Sequence, residues 1–223
     1  DPASIYLEPI NLSAIQVNHG ASGALNGSTI GGQINMQVKE PGFNCHNTIK
    51  GQISQSYLSI NNAYFANAAV EQSWNKISYR VNGTYRKANN YKAANNKTIP
   101  YSGYEKLNAG AIIMAKLSSA QTLKLDYLGD WGKNIGYPAL PMDVGSATAQ
   151  IISLTHKTTF TKKYFSTNDV KFYYNEVTHF MDDTHRPDAP MHMDMPGWTK
   201  TSGVYNELRA SEQLKIRLDY HNV

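Results

Sequence analysis

Apolar and polar side chains alternate along this chain with a period of two from about residue 48 onward. In the clearest run, ISYRVNGTYR, every second residue is apolar or small and the intervening residues are polar: Ile77, Tyr79, Val81, Gly83 and Tyr85 against Ser78, Arg80, Asn82, Thr84 and Arg86. Similar runs begin at Leu107, Leu123, Val170 and Leu214. Because successive side chains of a β-strand point to opposite faces, the pattern predicts long strands with one apolar and one polar face.

The polar face carries full charges, which indicate the kind of sheet that these strands form. A water-filled lumen accepts such charges, whereas the dry core of a β-sandwich does not. They occur at Arg80, Lys124, Asp126 and Arg217. The runs are also closer to the ~9 to 11 residues of a tilted membrane strand than to the usual ~5 or 6 of a sandwich strand. We therefore predict an all-β fold, a transmembrane antiparallel β-barrel whose apolar face meets lipid; a soluble all-β domain is the alternative.

The links between the predicted strands alternate between short and long. Short links are expected near 75–76, 118–121, 161–167 and 211–213, and long ones at about 88–103, 132–148 and 180–199. This alternation is typical of an outer-membrane barrel with tight periplasmic turns and long extracellular loops. About nine strands are expected, and an open set of that kind leaves unpaired edges in lipid, so the chain is predicted to be part of a larger barrel.

The first 45 residues depart from the period of two. They predict a strand at Ala14–Asn18, a Gly- and Ser-rich turn with a short helical piece at Ala21–Leu25, and a strand at Gln33–Lys39 that ends before Pro41-Gly42. The chain is thus expected to divide into a small α+β unit, residues 1–45, and barrel strands, residues 46–223.

This N-terminal pattern resembles the end of the plug domain of the TonB-dependent outer-membrane receptors. In that family the plug ends in a strand, a small-residue turn, a glycine pair and an I-N-(I/M)-x-x-K-x-P run. The matching residues in this chain are Ile15, Val17, Gly20, Gly27, Gly31, Gly32, Ile34, Asn35, Met36, Lys39 and Pro41. The sequence departs from the family at His19 and Ala21, where a basic residue and a proline are more usual. The resemblance covers the plug end closely and the remaining chain in pattern.

The resemblance implies an active transporter of the cell outer membrane of a Gram-negative bacterium, and not an enzyme. It implies a 22-stranded barrel, of which this chain would hold about the first nine strands, and a ligand bound by extracellular loops and the plug. It also implies an energising TonB-ExbB-ExbD complex that acts through a TonB box outside this chain. Structural roles are expected for Gly20, Gly27, Gly31, Gly32 and Asn35, since glycine permits positive φ and close backbone packing.

Composition removes several other classes of function. The 21 Lys and Arg are scattered among 17 Asp and Glu for a net charge of +4, so a nucleic-acid partner is not expected. The single Cys45 excludes an internal disulfide framework. The sequence contains no G-x-S-x-G, P-loop, H-E-x-x-H or C-x-x-C motif that would anchor a catalytic site.

The segment HFMDDTHRPDAPMHMDMPGW, residues 179–198, concentrates thioether and imidazole groups in a predicted extracellular loop. These groups are ligands that select soft metals, Cu(I) especially. The candidate metal ligands are Met181, His185, Met191, His192, Met193 and Met195. The alternatives are that these side chains pack the loop onto the rim, since Met is an adaptable filler, or that they belong to a framework common to receptors of different ligands.

Three functions therefore stay open at the level of sequence. The first is a TonB-dependent importer of a scarce metal, copper before others. The second is a receptor of the same family for a ferric siderophore or another chelate, and the third is a passive porin or adhesin barrel. No resident cofactor is expected, and a copper ion or an iron chelate would be the transported ligand. Copper importers of the family combine loop Met and His with Cys or Met on the plug, and Cys45 is poorly placed for that role.

Overall fold

The computed structural model describes residues 6–20, 31–161, 165–186, 194–210 and 214–222. Its strands are β1 (Leu12–His19), β2 (Gly32–Val38), β3 (Thr48–Leu58), β4 (Ala63–Ser73), β5 (Ile77–Ala88), β6 (Tyr104–Lys116), β7 (Gln121–Ile135), β8 (Asp143–Thr159), β9 (Thr167–Asp182), β10 (Asp194–Ala210) and β11 (Leu214–Asn222). Short 3-10 turns lie at Pro9–Asn11 and Ala94–Asn96. Among the described residues, no helix is long and apolar enough to cross a membrane. The helical piece predicted at Ala21–Leu25 lies outside these residues.

Strands β3 to β11 form one antiparallel sheet in which each strand pairs with the next along the chain. The described part of this sheet has nine strands, with β3 and β11 at its edges. A separate hairpin of β1 and β2 precedes it. The prediction of an all-β fold with long antiparallel strands is therefore confirmed. The boundary between residues 45 and 46 stays a prediction, and the large sheet begins at Thr48.

The two faces of the large sheet differ as the alternation predicts. The face that we call outer presents large apolar side chains to the surroundings, among them Ile53, Trp198 and Leu218, which are 85%, 72% and 68% exposed. The inner face holds buried polar side chains such as Thr84 and Asn108, at 2% and 1% exposure. A sheet with an apolar surround and a polar interior is the arrangement of a barrel wall.

Two of the predicted long links are shorter in the structure, and the other predicted links agree to within one residue at each end. One end carries links 74–76, 117–120, 160–166 and 211–213; the other, which we call the rim, carries 59–62, 89–103, 136–142 and 183–193. The predicted long link 132–148 is wrong, because β7 extends to Ile135 and β8 begins at Asp143, which leaves a seven-residue connection, 136–142. The link predicted at 180–199 likewise shortens to 183–193. Ladder hydrogen bonds join backbone groups, so residues of turn-like composition can still extend a strand.

The described residues 6–20 and 31–45, which we call the N-terminal unit, lie against the inner face of the large sheet. The buried Glu8 carboxylate pairs with Arg86 of β5 at 2.6 Å, and Asn108 of β6 donates to the carbonyl of Tyr6 at 2.9 Å. Glu40 pairs with Lys124 of β7, also at 2.6 Å. Burial raises the pKa of the Tyr6 phenol, and the negative charge of Asp130 raises it further. The unit is thus fixed to the wall at both of its ends by charged and polar contacts.

Glycine at position 32 is required by the hairpin geometry. Gly32 has φ +136°, and a Cβ at this position would lie 2.5 Å from the carbonyl oxygen of Asn18 on β1. Gly20 also has a positive φ, of +77°, whereas Gly31 has open space around its Cα. Asn35 of β2 donates to the Gln16 side chain of β1 at 3.5 Å. Gly27 lies outside the described residues.

We expect Gly32→Ala to destabilise the β1–β2 hairpin by about 1 to 3 kcal/mol, because a side chain is strained at this φ and meets backbone. Hydrogen exchange of the β1 and β2 amides should become faster. Gly31→Ala is the matched control, since a Cβ there meets nothing within 4 Å. Equal exchange in the two variants would contradict the steric requirement at Gly32.

Candidate functional site

Met181 and Met195 lie directly opposite each other on neighbouring strands at the rim. The antiparallel register of β9 and β10 pairs them, and Met181 also faces Val144 of β8 on its other side. Residues directly opposite in such a ladder have Cβ atoms about 4.5 to 5.5 Å apart on one face of the sheet. Two thioethers that the sequence places in a loop are therefore side by side on paired strands.

The methionine pair, Met181 and Met195, belongs to the inner face. Phe172, Tyr174 and Phe180 of β9 are exposed on the outer face, so strand alternation places Met181 on the opposite, inner face. His179 precedes Met181 by two residues and shares that face. The residue opposite His179 is Gly197, which has no side chain.

These three side chains form a soft donor set. Two thioethers and an imidazole are the ligand types that favour Cu(I) over hard cations. Met195 is 56% exposed and His179 is half-buried, so the patch can be reached from the interior of the barrel. The arrangement presents at the rim ligand types that suit a soft cation.

The other predicted ligands are placed differently. His185 lies on the exposed turn after β9 and lines a rim cavity of about 340 Å³ together with Asp143, Asp182 and Tyr101. Met191, His192 and Met193 lie outside the described residues. Within the ranges that the structure describes, no group of three or more His, Cys, Asp or Glu side chains is arranged to hold a metal ion. The candidate site consequently depends on thioether sulfur.

A cluster centred on Arg186 joins three rim links and was not predicted from the sequence. Arg186 makes a bidentate ion pair with Asp143, with Nη2–Oδ1 at 2.6 Å and Nε–Oδ2 at 2.9 Å. Its Nη2 also donates to the Tyr137 carbonyl at 2.9 Å, and its guanidinium lies 3.7 Å from the centre of the Tyr101 ring. Asp143 and Arg186 are 43 residues apart and belong to no motif, so no local signal could have found them.

A second cavity, of about 670 Å³, separates the N-terminal unit from the inner face of β7 to β9. Lys124 crosses it, pairing with Glu40 at 2.6 Å and Asp126 at 3.4 Å. Lys171 also lines this cavity, as does Met36 of the N-terminal unit. Charged side chains of β7 and β9 thus face the cavity between the N-terminal unit and the wall.

Comparisons with solved structures find the same fold. The copper transporter OprC matches 97% of this chain with a TM-score of 0.87 at 18% identity. The siderophore receptor PirA from Acinetobacter baumannii matches 99% with a TM-score of 0.65 at 15% identity, and the FrpB iron transporter from Neisseria meningitidis (F3-3 variant) matches 96% with a TM-score of 0.69 at 16% identity.

The chain spans about a third of the length of these structures, at 34%, 35% and 37%. No family model matches the chain, and no curated protein matches it. At this level of identity the likeness shows the fold, and that fold is the one expected from the resemblance to TonB-dependent receptors. None of these three proteins is named as an enzyme.

Proposed function

We propose that this chain is part of a TonB-dependent outer-membrane transporter that imports copper. The observation that supports copper as the transported metal is the methionine pair, Met181 opposite Met195, on the inner face at the rim. Soft sulfur ligands favour Cu(I), whereas oxygen ligands suit hard cations. Copper is the transported substrate in this proposal and not a resident cofactor.

The surfaces of the molecule support a place in the membrane. The outer face, which exposes large apolar side chains, would meet lipid. Apolar side chains are stable against lipid, whereas charged ones on a lipid-facing surface destabilise the barrel. The rim, with its longer links, would face the cell exterior. The N-terminal unit, fixed against the inner face, would be the end of the plug, and a TonB box outside this chain would connect it to the TonB-ExbB-ExbD complex.

A ferric-siderophore receptor of the same family is the second candidate. It is favoured by the rim cavity, where Asp143, Asp182 and Tyr101 offer oxygen atoms that suit a chelate better than a bare soft ion. Against it, the methionine pair has no clear use in binding an oxygen-rich chelate.

Energised uptake tests this proposal. Cells that express the full-length protein are expected to accumulate copper from a limiting medium, and deletion of TonB should remove that accumulation. Copper entry that is independent of TonB would indicate a passive porin. TonB-dependent accumulation of an iron chelate, with no effect on copper, would instead support the siderophore receptor.

A further inference from the structure

We propose that Arg186 is the positioning residue of the copper site: it fixes the rim ends of β8 and β9 so that Met181 stays opposite Met195. This role rests on the proposed function. Arg186 does not belong to the donor set itself. It acts through Asp143, to whose carboxylate the guanidinium donates two hydrogen bonds, of 2.6 and 2.9 Å.

The ion pair of Arg186 with Asp143, which we call the clamp, is supported by two further contacts of the guanidinium. One face stacks on Tyr101 at 3.7 Å, and Nη2 is shared between Asp143 and the Tyr137 carbonyl. The side chains of Arg186 and Asp143 are only 12% and 15% exposed. A bidentate, shielded Arg–carboxylate pair is stronger and more directional than an exposed ion pair.

The clamp reaches the methionine pair through two consecutive rungs of the sheet. Asp143, Asp182 and Asp194 are aligned across β8, β9 and β10, and the next rung aligns Val144, Met181 and Met195. Val144 is 1% exposed, so it transmits the position of Asp143 to its neighbour Met181. The register of β8 and β9 is irregular between Val144 and Ser146. This end of the ladder therefore depends on the ion pair of Arg186 with Asp143 to hold the two strands together.

The row of carboxylates formed by Asp143, Asp182 and Asp194 also needs a nearby cation. Like charges directly opposite each other destabilise a pair of strands, and here three carboxylates lie at one level of three adjacent strands. Arg186 places its charge against the first of them, and its backbone N–H donates to the Asp183 carbonyl at 2.7 Å to close the turn after β9. Removing the guanidinium therefore frees the strand ends that hold the methionine pair.

Replacing Arg186 with Met tests the role while keeping much of the side-chain volume. We expect Cu(I) binding by the detergent-purified full-length protein, measured against a competing colorimetric chelator, to weaken about 10- to 100-fold, as for other residues that orient metal ligands. X-ray absorption of the Cu(I)-loaded variant should show fewer sulfur neighbours than in the wild type. Arg186→Lys, which keeps the charge without the planar fork, should restore part of the affinity.

The matched control is Lys200→Met. Lys200 pairs with Glu176 at 3.3 Å and joins the same two strands, but on the outer face and away from the rim. Wild-type affinity and sulfur count in Lys200→Met support the specific role of Arg186. If Arg186→Met fails to fold, Asp143→Asn supplies the same test, because it removes the charge at the other side of the clamp.

Two results would overturn the inference in distinguishable ways. Wild-type affinity and an unchanged sulfur count in a folded Arg186→Met protein would show that the clamp does not position the site, and would leave copper import intact. A wild-type protein that binds no Cu(I) would overturn the proposed function, and the positioning role with it.

Discussion

Replacing Met181 and Met195 together with Ala should weaken Cu(I) binding by about 100-fold or more, which corresponds to ~2.7 kcal/mol. Each single replacement should weaken Cu(I) binding about tenfold, which corresponds to ~1.4 kcal/mol, because the remaining thioether and imidazole still offer soft ligands. Binding to the full-length protein and copper accumulation in cells should fall together. The fold should persist, since Met195 is 56% exposed and its loss leaves no cavity in a closed core.

Met114→Ala is the matched control for the methionine pair. Met114 also lies on the inner face of the wall, in β6 opposite Lys124 of β7, but near the link 117–120 at the end away from the rim. Its replacement should leave Cu(I) affinity unchanged. Wild-type copper binding by the double Met181→Ala, Met195→Ala variant would remove the basis for copper as the substrate.

Replacing Arg86 with Met should release the N-terminal unit from the wall. The Glu8 carboxylate is 4% exposed and would keep no cationic partner among its described contacts, and an unpaired buried charge of this kind costs about 3 to 5 kcal/mol. The replacement also removes the contact of the guanidinium with the Phe65 ring, at 4.7 Å. Hydrogen exchange at residues 6–12 should accelerate strongly, and limited proteolysis should cut there first.

Lys87→Met is the control, because Lys87 is the next residue along β5 and its ion pair with Glu105 is exposed on both sides, at 54% and 38%. An exposed pair of this kind contributes about 0 to 1 kcal/mol. Protection of residues 6–12 should therefore be unchanged in Lys87→Met. Equal protection in Arg86→Met and the wild type would mean that other contacts hold the unit in place.

The strands were predictable because their signal is local. Alternation along 77–86 sets the face of each side chain, and the structure places Ile77 and Val81 outside and Ser78 and Arg80 inside as expected. Strand ends were less predictable. Polar residues and glycines around 132–148 suggest a loop, but backbone pairing continues through them to Ile135 and Val144.

The candidate site was predictable only as a set of residue types. Met181, His185 and Met195 stand out because thioethers and imidazoles are rare neighbours, but their spacing in the chain does not say which of them meet. The structure pairs Met181 with Met195 and places His185 on a turn beside the rim cavity. Met191, His192 and Met193 stay predicted ligands.

The sequence by itself determined the class of fold, the two faces of the wall and the concentration of soft ligands near one end, because each depends on residue type and a period of two. The tertiary structure alone decided which distant residues meet: Met181 with Met195, Arg186 with Asp143 43 residues away, and Arg86 with Glu8 78 residues away. For the methionine pair the reason is that register is fixed by backbone hydrogen bonds between strands, and a shift of one residue would turn these side chains to the other face. Arg186 lies on the turn after β9 and Glu8 lies before β1, so their partners depend on how that turn and the N-terminal unit fold against the wall.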